Sequence, residues 1–266
     1  MAIATPLRTA DRGAAAPPGL SDPPQYSLAK ILAVWAAAAL PMAFLAWVAA
    51  PWLADRLDGP GPLAQALLLC LTAGLIWQFA LVVVLVAREQ RSLRWSRVRP
   101  ALWLQAPRSP RTGRRGGRLW LLLIPLLVAF AAEELVPQIQ QAAAGHDLPA
   151  FLESHAGHVF FDGAWGWFGV IAALAVFNTV LGEELLFRGL LMPRMNGVFG
   201  RRDWLANGVL FAVYHLHMPW AIPAALLDTL IISYPSRRYR SALIGIAVHS
   251  AQSVVILGAT LALVAG

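Results

Sequence analysis

Several side chains that ordinarily seek water stand inside apolar runs of this chain. Glu183, Glu184 and Arg188 fall in the run 165–192, His215 and His217 in 204–218, and Asp228 in 220–234. His249 falls in 242–264, with Gln252 and Ser253 close behind it. An ionisable group inside a membrane span costs at least about 2.5–3.5 kcal/mol and usually faces the protein interior as a functional group. Glu183 lies ten residues before Pro193, His215 eleven after Trp204, and His249 eight after Ser241. At about 1.5 Å rise per residue, these offsets put the three groups about 15, 16 and 12 Å from one face of the bilayer. One carboxylate and two imidazoles on three helices therefore reach one layer. Such a set can bind a divalent metal such as zinc through Glu183, His215 and His249, with a position open for water. It can equally work without metal, the glutamate acting as general base on a water while the histidines stabilise the oxyanion. Both routes lead to hydrolysis.

The helical spacing assigns the partners. Glu184 and Arg188 are four residues apart on one stripe and can pair, whereas Glu183 is rotated about 100° away and stays free for chemistry. Phe211 and His215 share a face by the same spacing, as do His249 and Ser253.

The elements that must position these groups are membrane spans. Of 266 residues, 58% are hydrophobic and only 13% charged, which excludes a water-soluble domain of ordinary composition. Apolar runs at 30–54, 62–87, 119–136, 165–192, 204–218, 220–234 and 242–264 predict an all-α, polytopic transmembrane bundle of about seven spans, with six to eight as the range. The net charge of +7 is almost entirely arginine, and ten arginines crowd into 88–118, between apolar runs. Attraction to an anionic leaflet explains them better than nucleic acid does. By the positive-inside rule 88–118 is cytoplasmic, 137–164 lies outside, and the N-terminus is cytoplasmic, as expected of a multi-pass protein of the cell membrane. Trp52, Trp120, Trp165, Trp204 and Trp220 fall near span ends, as interfacial anchors do. The expected organisation is a flexible cytoplasmic tail over 1–28, N-terminal spans over 29–160 with 88–118 as a solvated connector, and a catalytic helical core over 165–264. With Cys70 alone, no intramolecular disulfide can form.

The segment Gly182-Glu183-Glu184-Leu185-Leu186-Phe187-Arg188-Gly189 resembles the EExxxR motif of the CAAX protease and bacteriocin-processing family, also called Abi or type II CAAX prenyl endopeptidases. Phe211-Ala212-Val213-Tyr214-His215 resembles its FxxxH motif, and the helix around His249 resembles its third motif, in the family's order and over about 165–260. The resemblance implies a membrane endopeptidase that cleaves near the cytoplasmic face. Glu183 would activate water, His215 and His249 would bind metal or stabilise the oxyanion, and Glu184 and Arg188 would orient the site. Ser253 stands where the third motif carries Asn or Asp, and a serine reaches less far than an amide. Gln252 and Asn178 are the residues that can substitute.

Other polar residues read differently. Glu133 and Glu134 lack an arginine partner and belong to the interface, where Pro137 ends their helix. Glu153, His155 and His158 have the residue types of a small external metal site, although such spacing in a loop often arises by chance. Asp228 reads as a satisfied structural carboxylate, and His217, rotated about 200° from His215, is set aside. The implied partners are membrane lipids and a peptide or protein substrate at the membrane, with no nucleic acid. The competing readings are a catalytically silent scaffold or immunity protein of the same fold, and a small transporter that uses the buried charges as a proton relay.

Overall fold

A computed structural model describes residues 23–135 and 142–266. The tail expected over 1–28 therefore lies mostly outside the described residues, and Pro137 with its helix end lies wholly outside them. The fold is a helical membrane bundle. Its principal helices are α1 (Leu28–Ala54), α2 (Pro62–Gln90), α3 (Gly117–Ala131), α4 (Trp165–Arg194), α5 (Asp203–Tyr214), α6 (229–239) and α7 (Ala242–Ala265). Of these, α1, α2, α4 and α7 are long and apolar enough to cross a membrane. The runs expected at 119–136, 204–218 and 220–234 form shorter pieces. The last two are broken around Met218–Pro219 and again before Thr229, where backbone turns replace the helical ladder.

Large apolar side chains point outward, including Leu40, Val128 and Val255, as a hydrocarbon solvent allows. Inside, α1, α2, α4 and α5 share a core built on Leu186, Phe187, Leu190, Phe211 and Tyr214. In such a setting a backbone carbonyl without a donor is costly. Pro41 has no N–H to give to the carbonyl of Ala37, and Trp77 from α2 supplies its indole N–H at 2.8 Å instead. Trp35 likewise donates to Leu210 O and Trp47 to Leu216 O, each at 2.8 Å.

The arginine-rich segment is folded against the bundle rather than a free connector. Leu102 and Trp103 are buried, Arg108 N donates to Tyr239 O at 2.8 Å, and Ala242 N donates to Trp103 O at 2.9 Å. At the same end, fully buried Arg194 clamps α4 to α2. It reaches Glu89 through Nε at 2.9 Å and donates to the carbonyls of Ala101 and Leu190. Tyr26 donates its hydroxyl to Glu89, which ties down the chain before α1.

Candidate active site

α4 carries the acidic pair on an irregular stretch. Wide π-type turns occupy Phe177–Gly182 and Leu185–Leu191, and Glu183 and Glu184 sit between them. Such turns shift which side chains face inward and recur at functional positions. Glycines let the neighbouring helices close in. A Cβ on Gly182 would lie 3.3 Å from Leu75 Cδ2 of α2, and one on Gly245 of α7 would lie 2.2 Å from Glu184 Oε2.

Glu184 is fully buried and is the hub of one cluster. Its Oε1 lies 2.9 Å from Arg188 NH1 and accepts from His249 Nδ1 at 3.2 Å. The Arg188 contact is an ion pair outside aligned hydrogen-bond geometry. The guanidinium is instead oriented by stacking 3.9 Å over the Phe211 ring. The edges of two imidazoles meet that same ring, with centroids 5.0 Å away for His215 and 6.1 Å for His249. His215 Nδ1 lies 3.0 Å from Phe211 O. A carbonyl can only accept, so Nδ1 carries the proton and Nε2 is the free position.

Glu183, buried at 3% exposure, has different company. Both its oxygens accept only, so the facing Asn178 amide must present nitrogen. In that orientation it donates to Oε1 at 3.0 Å and Oε2 at 3.3 Å. The Tyr214 hydroxyl lies beside Glu183 and is itself held by Gln78 Nε2 at 2.6 Å. Ser253 serves another purpose: its hydroxyl meets Thr179 of α4 at 3.4 Å, beside Ser250 at 3.1 Å. Gln252 is exposed. The amide that meets the acidic pair is thus Asn178, from α4 itself.

Glu183, His215 and His249 do not form a metal-holding group. Among the described residues no three His, Cys, Asp or Glu side chains are arranged to hold an ion. Phe211 borders both imidazoles, His249 Nδ1 is taken by Glu184, and Glu183 is taken by Asn178. Glu153, His155 and His158 likewise form no such group. Asp228 is buried, yet its Oδ1 has no protein hydrogen-bond partner, so it is less satisfied than its sequence context suggests.

Residues 165–255 match the family model of the Rce1-like type II CAAX prenyl endopeptidases. This segment belongs to that family. It contains Glu183, Glu184, Arg188, His215, His249, Asn178 and Tyr214, and it covers about a third of the chain. Over this segment the chain is similar, in general terms, to CAAX-protease-like intramembrane peptidases. No curated protein and no solved structure matches the chain.

Tyr214, Gln78 and Asn178 were not singled out by chemistry in the sequence, apart from Asn178 as a substitute amide. Tyr214 lies within FxxxH, immediately before His215, and only that position hinted at it.

Proposed function

We propose that the protein is an intramembrane endopeptidase that hydrolyses a peptide bond in a membrane-associated peptide or protein, with Glu183 as the base. The observation that carries this reading is a buried, unpaired carboxylate beside a paired one. Glu183 is oriented by the neutral Asn178, with the Tyr214 hydroxyl beside it, while Glu184 is committed to Arg188 and His249. Glu183 takes a proton from water as the water oxygen attacks the carbonyl carbon. His249, whose Nδ1 proton points at Glu184, offers Nε2–H to the developing oxyanion when the ring holds both protons. His215, with Nδ1–H given to Phe211 O, presents Nε2 as an acceptor that positions the water. Collapse of the tetrahedral intermediate breaks the C–N bond, and the proton held by Glu183 passes to the leaving amine. Arg188 holds Glu184, and through it His249, in place. No step runs through a metal.

The arginine-rich end is taken as cytoplasmic, with the N-terminus on that side, because basic loops are retained there. The scissile bond then lies in the inner half of the bilayer. The test compares membrane peptides from cells that express the wild-type chain or Glu183→Gln. Glutamine keeps the shape but removes the base, so cleavage should fall by about 10²–10⁴-fold while the protein inserts and melts normally. Zinc chelation should leave wild-type cleavage intact. Full cleavage by Glu183→Gln would overturn Glu183 as the base, no difference in membrane peptides with and without the wild-type chain would overturn the peptidase reading in favour of a silent scaffold, and loss of activity on chelation would restore the metal.

A further inference from the structure

The candidate active site is closed. Glu183 is 3% exposed and His249 6%, so a peptide bond can reach them only if a helix moves. In hydrocarbon, apolar packing between helices has little advantage over packing against lipid tails, whereas lipid cannot replace a polar contact between helices. Six of the seven principal helices have such contacts. Trp77 of α2 donates to Ala37 O of α1, Trp35 of α1 to Leu210 O of α5, and Gln78 of α2 to Tyr214 of α5. Asn207 of α5 donates to Phe187 O of α4 at 2.9 Å and meets Ser233 of α6 at 3.4 Å, and Ser250 of α7 donates to Thr179 of α4. The seventh helix, α3, is held differently. Among the described residues, nothing in Gly117–Ala131 hydrogen-bonds or ion-pairs with another helix, and none of its residues is buried.

This loosely held helix covers the site. Leu123, Leu126 and Phe130, spaced to share one face, pack with Leu122 on Ile232 of α6 and on Ile244 and Val248 of α7. Leu121, Ile124 and Val128, on the other face, are exposed. Ile244 and Val248 form one stripe of α7, and the adjacent stripe, Gly245 and His249, faces Glu184. The Phe130 ring meets the His249 ring with centroids 6.0 Å apart and planes 67° apart. Phe130 thus lies against the imidazole that the proposed mechanism aims at the oxyanion. The chain enters α3 through Gly117, whose φ of 60° is left-handed and where a Cβ would meet nothing within 4 Å, so this turn leaves the helix room to swing.

We infer that α3 is the entry gate of the site and that the substrate arrives sideways from the lipid, parting α3 from α7 and passing between Phe130 and His249. The substrate class is then an apolar peptide segment already dissolved in the bilayer. Only such a segment meets α3 on its lipid side and replaces the contacts that Ile232, Ile244 and Val248 lose. Because α3 lies outside the family-matched residues 165–255, the gate belongs to this chain's own N-terminal part. The inference rests on the peptidase reading for what enters.

The test asks which solvent gives access to Glu183 in the full-length protein, reconstituted in nanodiscs. The probes are dicyclohexylcarbodiimide, which dissolves in the bilayer, and a water-soluble carbodiimide. Both tag carboxyl groups, and the adducts are located by peptide mass spectrometry. Exposed Glu153 is the positive control for the water-soluble reagent. The bilayer-soluble reagent should tag Glu183 at least tenfold faster than the water-soluble one. Leu123→Ala with Leu126→Ala loosens α3 but keeps Phe130, and should speed that tagging at least tenfold while tagging of Glu89 stays unchanged. Ile124→Ala with Val128→Ala, on the lipid face, should leave it as in the wild type. A single-span peptide of Leu, Ala and Gly in the same nanodisc should slow the tagging at least threefold, and a Gly-Ser peptide in the buffer should not. Comparable or faster tagging from water, no tagging by either reagent, equal rates in the two double variants, or no protection by the spanning peptide would overturn the inference. Should the loosened variant fail to fold, the reagent comparison and the protection decide on the wild type. Tagging needs no turnover. The gate can therefore fail while Glu183→Gln abolishes cleavage, and it can hold where membrane peptides with and without the wild-type chain are identical.

Discussion

Replacing Gly245 by alanine would place a methyl carbon 2.2 Å from Glu184 Oε2, 2.9 Å from Ile232 Cγ2 and 3.2 Å from Glu184 Cδ. Ordinary contact needs about 3.5 Å, so the carboxylate must retreat by about 1 Å. It has little freedom to do so, because Oε1 is held by Arg188 at 2.9 Å and His249 at 3.2 Å and the residue is fully buried. Overpacking costs about 1–3 kcal/mol and loss of one charge-assisted contact about 1.5–3 kcal/mol. The better helix propensity of alanine returns about 1 kcal/mol. The net is about 3 kcal/mol of destabilisation, or a drop of about 10 °C in melting temperature. Misplacement of His249 by about 1 Å should also lower peptide cleavage by about 10²-fold. Gly258 on the same helix is the internal control, since a Cβ there meets nothing within 4 Å. Gly258→Ala should melt at or slightly above wild type with full activity. The assay is thermal unfolding of both purified variants in one detergent, alongside cleavage measured against Glu183→Gln as blank. Equal melting and equal turnover for the two alanine variants would refute the close packing of α7 on Glu184.

Three further outcomes follow from the same contacts. Asn178→Ala removes the amide that donates to both oxygens of Glu183, so kcat should fall by about tenfold or more, given that a charge-assisted bond is worth about 1.5–3 kcal/mol. Arg194→Met leaves Glu89 at the end of α2 with only Tyr26 and Lys30, and should destabilise the protein by about 3 kcal/mol in thermal unfolding, with part of the loss recovered by adding Glu89→Gln. Burial, and then the hydrogen bond to Glu89, hold the Tyr26 phenol protonated well above its ordinary range. Its folded-state pKa is thus raised, and its contribution to stability is full below the unfolded value of about 10 and is lost as pH climbs beyond it. Tyr26→Phe should lower stability at neutral pH and flatten the alkaline fall in a melting series against pH.

Some of this architecture was legible in the residues alone. Lipid as solvent follows from composition, and a helical bundle follows because no other open structure satisfies its backbone within hydrocarbon. The Glu184–Arg188 pair follows from i,i+4 geometry, and the packing of Phe211 on His215 from the same spacing, since both are properties of a single helix. Tertiary structure decided what depends on separate helices or on departures from regular ones. Residues 204–218 and 220–234 look like spans by hydropathy but break, because Pro219 and the neighbouring turns interrupt their ladders, a cost that hydropathy does not register. The turns that flank Glu183 and Glu184 shift the helical register, so 100° steps along α4 do not place Asn178 against Glu183. Gln78 reaches Tyr214 across 136 residues of chain, which no local periodicity encodes. An acidic cavity gathers Glu133, Asp147, Glu153 and His217 from three stretches, each of which looks peripheral in sequence. Depth and helix face are set by short-range geometry, whereas the partner of each buried polar atom is set by which helices pack together, and that is where the division between sequence and fold lies.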